Sequence, residues 1–393
     1  MHPLVGHEAA RTALARARLQ GTLPGALLLL GPRGVGKQRL ALWLAQAVLC
    51  REAGAEGGCG ACRDCRRVLR LEHPDLHWYF PLPRPRKTAA EKLGTALEEA
   101  RMERLARLRE DALRPSHSEE PAALYLAAAR ELRRRAGSRP SEGGEQVFIV
   151  GDADTLVPQE GSAEAANALL KLLEEPPPDT RFILTTSEPR RVLATIRSRT
   201  VPLHLSPLPR DAVAAFLEAR GIAAGDAAEA ARLSGGSVGL ALGFLPDEAR
   251  EAGPLETLRL RAGEVLEAAL GDSPGRAYAL VLSPHFADSP VMKTARLLVP
   301  LLDALEVWLR DLAAVAAGST DSVVNRSAMA TLERLVREHG LHPAVVGDAL
   351  PAVAEARREA LGNVAPALVV TGVAAALRRA LLHSLLRSAS GAP

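Results

Sequence analysis

The sequence predicts an α/β domain followed by an all-α region. Three short apolar runs, ALLLL, VFIV and RFILTT, alternate with segments whose apolar residues recur at helical spacing. This alternation indicates a parallel sheet covered by helices on both faces. After VPLHLSPLP no strand pattern returns, and the rest of the chain is rich in Ala, Leu and Arg, which favour helices.

We expect three regions in this chain of 393 residues. Residues 1–206 would form the α/β domain, residues 207–248 a small helical unit and residues 249–393 a larger helical unit. Residues 84–143 interrupt the α/β domain as a charged helical insertion. A solvated helix is one interpretation of this alternating charge, and a dedicated binding arm is the other.

Charge and hydropathy give no indication of a nucleic-acid-binding protein or of a membrane protein, although a local basic patch stays open. The formal net charge of +3 is too small to indicate nucleic-acid binding by itself. The apolar run GALLLL is far shorter than the ~20 residues that a membrane span needs, and the N-terminus lacks the pattern of a signal peptide. We therefore expect a cytoplasmic protein in a reducing compartment, with no membrane partner.

The first apolar strand leads into GPRGVGKQ, which matches the phosphate-binding pattern G-x-x-x-x-G-K-[ST] except at its last position. Gly31, Gly34 and Gly36 let the backbone curl around a phosphate, which Lys37 would also reach. Gln38 replaces the hydroxyl that would bind Mg²⁺, and a longer amide fits an octahedral magnesium shell poorly. We predict a degenerate nucleotide site without hydrolysis, in which binding of ATP and Mg²⁺ stays open; a plain strand-to-helix turn is the alternative.

The second apolar strand ends in Asp152, Ala153 and Asp154. Asp152 is able to help hold a metal ion, but Ala153 cannot polarise water as the acid does in hydrolysing relatives of this loop. Alternation along an extended chain predicts that Asp154 points to the other side of the strand. A second part of the hydrolytic apparatus is therefore missing.

All four cysteines lie in the single window CREAGAEGGCGACRDC, namely Cys50, Cys59, Cys62 and Cys65. The C-x2-C-x2-C core lets a tight turn direct several thiolates at one point, which predicts a closed structural Zn²⁺ site. Two disulfides are disfavoured in a reducing compartment, and free thiols remain the other alternative. We interpret the nearby His73 and His77 as surface residues, because four thiolates already fill the metal shell.

The order of these motifs resembles one family. The phosphate loop, the cysteine window, HPDL, NALLKLLEEPP, FILTTSEP and LATIRSRT follow one another as in bacterial clamp-loader subunits of DNA polymerase III, which are AAA+ ATPases. The likeness covers residues 1 to about 245. It implies an AAA+ P-loop sheet with an inserted zinc knuckle at residues 50–65, a helical lid at 207–248 and a C-terminal helical collar at 249–393 that oligomerises.

Within this group the sequence resembles the delta-prime subunits more than the gamma/tau motor subunits, which are the alternative. In the motor subunits the loop ends in a hydroxyl residue, the second strand carries Asp-Glu, and a GS-x-R arginine in the lid senses nucleotide. In this chain Gln38, Ala153 and Gly239 stand at those positions. The resemblance therefore implies a stator without an ATPase activity of its own.

Through the resemblance, the triplet SRT implies that this chain contributes a residue to the ATP site of a neighbouring subunit. In the family the arginine of a Ser-Arg-Cys motif projects into the ATP site of a neighbouring subunit, where a guanidinium stabilises charge on the γ-phosphate. The resemblance assigns this catalytic position to Arg199, after Ser198, although Thr200 departs from the usual cysteine. Judged without the resemblance, Arg199 is an ordinary solvated arginine. Thr186 matches the family's polar sensor at the end of the third strand.

The resemblance also implies partners and a process, which is the loading of the sliding clamp in DNA replication. The partners would be the motor subunits and the clamp-opening subunit of a hetero-pentameric ring. The sliding clamp and primer-template DNA would be contacted through the complex. A zinc-binding nucleic-acid protein acting alone is a third interpretation, but the near-neutral charge and the few aromatic residues argue against it.

Overall fold

The computed structural model describes residues 4–85, 92–110, 122–142, 144–156, 164–246, 251–289, 292, 295–362 and 364–389. The chain forms two compact units, Met1–Leu242 and Gly243–Pro393. Within the described ranges, no helix has both the length and the apolar character needed to cross a membrane.

The first unit contains two sheets. Its strands are β1 (Ala26–Leu30), β2 (Leu76–Tyr79), β3 (Leu82–Pro83), β4 (Ala122–Ala123), β5 (Gln146–Val150), β6 (Thr180–Thr186) and β7 (Val201–His204). The main sheet is parallel and has the order β2-β5-β6-β1-β7, while β3 and β4 form a separate antiparallel pair. The three strands predicted from the apolar runs are the three central strands of the main sheet, so the α/β prediction is confirmed.

Helices cover both faces of the main sheet. The helices up to residue 244 are α1 (Glu8–Leu19), α2 (Lys37–Leu49), α3 (Arg63–Leu69), α4 (Leu93–Glu110), α5 (Leu126–Ala136), α6 (Glu164–Glu174), α7 (Ala194–Arg197), α8 (Arg210–Glu218), α9 (Ala224–Leu233) and α10 (Val238–Phe244). Along β1, Leu27 and Leu29 join the core that contains α2, while Leu28 and Leu30 join the core that contains α6. Because both faces are covered, every residue of β1 is buried.

The two edge strands β2 and β7 were not predicted. Each has four residues, LHWY and VPLH, so neither gives a continuous apolar run. Pro202 in β7 cannot donate a backbone hydrogen bond, and proline is accordingly confined to positions such as an edge strand. Only pairing with β5 and β1 identifies these segments as strands.

Helix α4 of the insertion is a helix with one narrow buried face, and most of its other side chains are exposed or half-buried. Leu97 and Leu105 are buried in the same core as α2. Arg101 is also buried; it pairs with Glu98 at 2.6 Å and donates to the carbonyl oxygen of Trp78 in the edge strand β2 at 3.2 Å. The helix therefore packs beside the sheet edge, a common way to protect edge strands. Residues 86–91, 111–121 and 143 of the insertion lie outside the described residues.

The second unit is helical throughout its described residues, which confirms the all-α prediction for this part of the chain. Its α-helices are α11 (Pro254–Leu270), α12 (Gly275–Leu282), α13 (Pro284–Ala287), α14 (Ala295–Ala316), α15 (Met329–His339), α16 (Pro343–Gly347), α17 (Leu350–Leu361) and α18 (Pro366–Ala389). They share one apolar core. At its centre Trp308 packs against Gly263 and donates its indole N–H to the carbonyl oxygen of Arg259 at 2.9 Å.

Candidate functional site

The phosphate loop lies between β1 and α2, which is the strand-loop-helix context that the motif requires. Gly34 and Gly36 have φ angles of 71° and 108°, a region that residues with a side chain rarely adopt. The glycines predicted from the motif therefore hold a tight curl in front of the N-terminus of α2. The backbone retains the shape of an anion-binding loop.

Lys37 is engaged by its own chain. Its ammonium group donates to the carbonyl oxygens of Gly31 and Pro32, each at 2.7 Å, and to the hydroxyl of Ser187 at 2.8 Å. These three bonds use all three donors of the group. Burial lowers the pKa of Lys37 to about 8, although the charges of Asp152 and Asp154 oppose this shift. The lysine therefore closes the loop upon itself and links it to the end of β6.

The acids after β5 are arranged differently from the prediction. The strand ends at Val150, Asp152 has a left-handed φ of 48°, and Ala153–Leu156 forms a 3-10 turn. Because the chain is no longer extended, strict alternation does not apply, and the expectation that Asp154 turns to the other side is wrong. The Asp154 carboxylate accepts a hydrogen bond from the hydroxyl of Thr186 at 2.6 Å. Burial, followed by the charge of Asp154, raises the pKa of Asp152.

The polar side chains around these acids are also paired internally. The hydroxyl of Thr186 donates to Asp154 and accepts the backbone N–H of Glu188 at 2.9 Å. The amide nitrogen of Gln38 approaches Gly151, just before Asp152, so closely that a Cβ on Gly151 would lie 3.0 Å from it. The structure thus places the loop, Asp152 and Thr186 near one another, together with Asp154 and Ser187, which sequence reasoning did not assign to this site. For Ser187 the only available signal was its position directly after Thr186.

Arg199 follows α7 and is partly buried on its own domain. One terminal nitrogen contacts the carboxylate of Glu174 at the end of α6. The other donates to the carbonyl oxygen of Thr195 at 3.0 Å and to the hydroxyl of Ser198 at 3.3 Å. The hydroxyl of Thr200 bonds the carbonyl oxygen of Ile196 at 3.0 Å, which anchors the next residue. In the described part of the chain, Arg199 makes no hydrogen bond or ion pair with the phosphate loop.

The sulfur atoms of the four cysteines converge. Cys50 Sγ lies 3.8 Å from Cys62 Sγ, Cys59 Sγ lies 3.9 Å from Cys65 Sγ, and all four atoms are within 4.8 Å of one another. A tetrahedral Zn²⁺ with bonds of ~2.3 Å would place its sulfur ligands roughly 3.8 Å apart. Disulfide sulfurs are bonded at about 2.05 Å, and none of the four cysteines is oxidised. The four thiols are therefore arranged to hold one metal ion.

Two helix ends and several backbone N–H groups position these sulfurs. Cys50 follows the last residue of α2, and Cys62 caps α3, with its sulfur accepting the N–H of Cys65 at 3.4 Å. The N–H groups of Cys59 and Cys62 donate to the sulfurs of Cys50 and Cys59. These bonds favour a thiolate, and the N–H of Cys62 lowers the pKa of Cys59. Burial raises the pKa of Cys50 and Cys65, which a bound cation would counteract.

The two nearby histidines do not join the cysteine group. His73 is buried, so its interpretation as a surface residue is wrong. Its Nδ1 accepts the backbone N–H of Asp75 at 3.1 Å; Nε2 therefore carries the proton and faces Asp64 at 3.6 Å. His73 instead lies with Asp64 and Glu142, a separate group whose ligand atoms are all within 4.8 Å of one another. His77 stacks on Phe148 at 4.6 Å, and burial lowers its pKa to about 4.

Together, a parallel sheet, a glycine-lysine loop between β1 and a helix, and acids after β5, one strand further along the sheet, define the architecture of the P-loop class of proteins. A family model described as DNA polymerase III, delta subunit, matches residues 6–209, which is more than half of the chain. The chain belongs to this family.

Curated relatives agree with this assignment. The DNA polymerase III subunit delta′ of Escherichia coli is 33% identical over 55% of this chain and 53% of that protein. The subunit delta′ of Bacillus subtilis is 31% identical over 49% of this chain and 45% of that protein. The subunit tau of Escherichia coli is 28% identical over 55% of this chain and 27% of that protein. The chain spans about half the length of the delta′ relatives that it matches.

Proposed function

We propose that this chain is a delta-prime-like subunit of a DNA polymerase III clamp loader, a non-hydrolysing stator that contributes one arginine to a neighbouring ATPase subunit. Its partners would be the motor subunits and the clamp-opening subunit of a hetero-pentameric ring. It would meet the sliding clamp and primer-template DNA through that ring. Membership of the family and the names of the delta′ relatives support this proposal.

The observation that carries the proposal is that Gln38 and Ala153 stand where a hydrolysing site needs a hydroxyl and an acid, although the loop keeps the ammonium group of Lys37. An active phosphate loop needs this ammonium group for the terminal phosphates of ATP. In this chain its three donors are taken by two loop carbonyls and Ser187. Gln38 and Ala153 remove the magnesium hydroxyl and the acid that polarises water. The residues around the loop therefore favour a degenerate site without turnover.

The catalytic contribution would come from Arg199. Its guanidinium lies at the end of α7, where Glu174, Thr195 and Ser198 hold both terminal nitrogens. An exposed ion pair of this kind is worth ~1 kcal/mol or less, so a γ-phosphate in an adjoining subunit would readily displace Glu174. We propose that Arg199 exchanges this carboxylate for the phosphate when the ring assembles.

The remaining parts would serve the assembly. The four cysteines at residues 50–65 would hold structural Zn²⁺. This ion prefers thiolate ligands, and the distances between the four sulfurs fit its tetrahedral geometry. The helices between residues 207 and 248 would act as the lid. The helical region at 249–393 would form the collar that binds the other subunits.

A gamma/tau-like ATPase motor is the second candidate function. The retention of Lys37 and Asp152 favours it, and so does the similarity to the subunit tau. It predicts ATP turnover by the purified chain, abolished by Lys37→Ala. The stator proposal predicts turnover that is indistinguishable from background and unaffected by this substitution. Measurement of phosphate release by the isolated chain therefore separates the two functions.

Reconstitution tests the arginine in trans. Arg199→Ala should leave assembly with the motor subunits intact and lower the DNA-stimulated ATPase of the complex by a factor of ~10 or more, because arginine fingers contribute up to ~10³–10⁵ in rate. Arg197→Ala is the matched control, since Arg197 is an exposed arginine at the end of α7, two residues before Arg199. Unchanged hydrolysis by a complex that contains Arg199→Ala would exclude the role in trans.

A further inference from the structure

The backbone of α10 lies directly against the phosphate loop. The N–H of Gly239 donates to the carbonyl oxygen of Gly34 at 2.9 Å. A Cβ on Gly239 would lie 2.9 Å from Gly34 Cα, and a Cβ on Gly34 would lie 2.8 Å from the backbone nitrogen of Leu240. Such short distances to a Cβ essentially never occur. The two segments can therefore touch in this way only because both positions are glycine.

The same contact occupies the place where the motor subunits carry an arginine in the lid, at position 239. A side chain at position 239 would have to pass between α10 and the loop, and the glycine pair leaves no space for it. Gly239 is thus more than a missing nucleotide sensor. It replaces a contact between lid and ligand by a contact between lid and loop.

Three further carbonyl groups of the loop also bond to the chain itself. Those of Gly31 and Pro32 accept from Lys37, and that of Val35 contacts Nε2 of His7 at 2.8 Å. With Gly34 bonded to Gly239, these contacts fix the loop from three directions. Nothing in this set of bonds depends on a nucleotide.

A second backbone contact holds the lid at Gly236, three residues before Gly239. The backbone N–H of Leu208, just before α8, donates to the carbonyl oxygen of Gly236 at 2.8 Å. Gly236 has a left-handed φ of 84°, and a Cβ there would collide with the backbone of Leu208. The backbone is therefore held at two points, at Gly236 before α10 by Leu208 and at Gly239 in the first turn of α10 by Gly34. A turn fixed at two points restricts rotation of the segment that follows it.

We propose that the Gly34–Gly239 contact is a lock that holds the lid on the phosphate loop, so that the position of the lid does not respond to nucleotide. This inference rests on the proposed function and specifies how the degenerate site is regulated. A nucleotide-sensing lid must be free to move towards its ligand. This lid is already docked on the loop, which gives the subunit one fixed conformation in every stage of the ATP cycle of its neighbours.

Hydrogen exchange of the isolated full-length chain tests the lock. In the wild type, exchange rates in the loop (residues 31–37) and in the lid up to residue 242 should be the same with and without millimolar ATP and Mg²⁺. Gly239→Ala should accelerate exchange in both segments by a factor of ~10, because the added methyl group separates the two backbones. Gly225→Ala in α9 is the matched control and should change nothing, since a Cβ there has no neighbour within 4 Å.

Two outcomes would overturn the lock: a clear change of lid exchange in the wild type upon addition of ATP, or wild-type exchange rates in a folded Gly239→Ala variant. The wild-type comparison needs no variant, so the proposal stays testable even if Gly239→Ala does not fold. Because this experiment uses the isolated chain, its failure is distinct from a failure of Arg199 in the reconstituted complex. A mobile lid would contradict the lock and leave the role in trans intact.

Discussion

A phosphate loop lies at the N-terminus of helix α2 and a group of four cysteines at its C-terminus. The two motifs differ in what their polar groups contact. At the N-terminus, the phosphate loop directs its lysine and its carbonyl oxygens at other parts of the same chain. At the C-terminus, Cys50 and three further cysteines direct four sulfurs at one common point. At the N-terminal end of α2 the polar groups of the loop bond to the chain itself. At the C-terminal end the four sulfurs surround a space of the size that a metal ion needs.

A degenerate site and a working site can both retain their motif and still differ in where their buried polar groups find partners. A buried donor or acceptor must have a partner, because an unpaired one costs about 1–3 kcal/mol. Among the described residues, Lys37 finds partners in Ser187 and two loop carbonyls, whereas the four sulfurs contact one another and accept backbone N–H groups. The two motifs therefore differ in the kind of partner that their polar groups have within the chain.

Removal of one sulfur is the largest perturbation that we expect. Cys65→Ala should reduce the metal content of the purified protein from one equivalent of zinc to nearly none. The loss of a structural metal from a buried site should lower the free energy of unfolding by ~3–5 kcal/mol, which is roughly 10 °C in Tm for a unit of this size. Elemental analysis and thermal unfolding, with and without a chelator, measure the two effects.

The matched control for this experiment is His73→Gln, because His73 lies outside the cysteine group and should leave the metal content at one equivalent. Less than half an equivalent of zinc in freshly purified wild-type protein would contradict the comparison. In that case both ends of α2 would be degenerate.

The charge of Lys37 gives an effect of intermediate size that depends on pH. Its pKa is lowered from 10.5 in the unfolded chain to about 8 in the folded protein, so the unfolded state binds more protons between these values. The stability of the wild type relative to Lys37→Met should therefore rise as the pH increases from 8 to 10.5, by up to ~3 kcal/mol, and stay constant below pH 8. Urea unfolding of both proteins at several pH values measures this difference.

If the difference in stability between the wild type and Lys37→Met did not change with pH, the pKa of Lys37 would not be lowered by folding. Stabilisation of the wild type by ATP at neutral pH, absent in Lys37→Met, would be a stronger contradiction. The ammonium group would then still serve a nucleotide, and the contrast between the two ends of α2 would disappear.

The sequence predicted the local parts of this arrangement and missed the contacts between distant parts. A loop of glycines before a helix and four cysteines in sixteen residues are patterns that a short window contains completely. The bond between Lys37 and Ser187 joins residues 150 positions apart, and no local spacing indicates it. The orientation of Asp154 was predicted wrongly because a left-handed residue at Asp152 ends the strand early. His73 was wrongly interpreted as a surface residue because nothing in its spacing from the cysteines shows that the folded chain buries it with Nε2 facing Asp64.

Two glycines of the cysteine loop provide the smallest and most selective test, because both have positive φ angles, 103° at Gly57 and 74° at Gly60. Alanine at either position should cost about 1–2 kcal/mol of backbone strain. A Cβ on Gly57 would also lie 2.6 Å from the ring of Trp43 on α2, whereas a Cβ on Gly60 has no neighbour within 4 Å. Gly57→Ala should therefore destabilise the protein by ~1–2 kcal/mol more than Gly60→Ala in urea unfolding. If both variants lost the same free energy of unfolding, the contact between Gly57 and Trp43 would be absent. The cysteine loop would then not pack on α2.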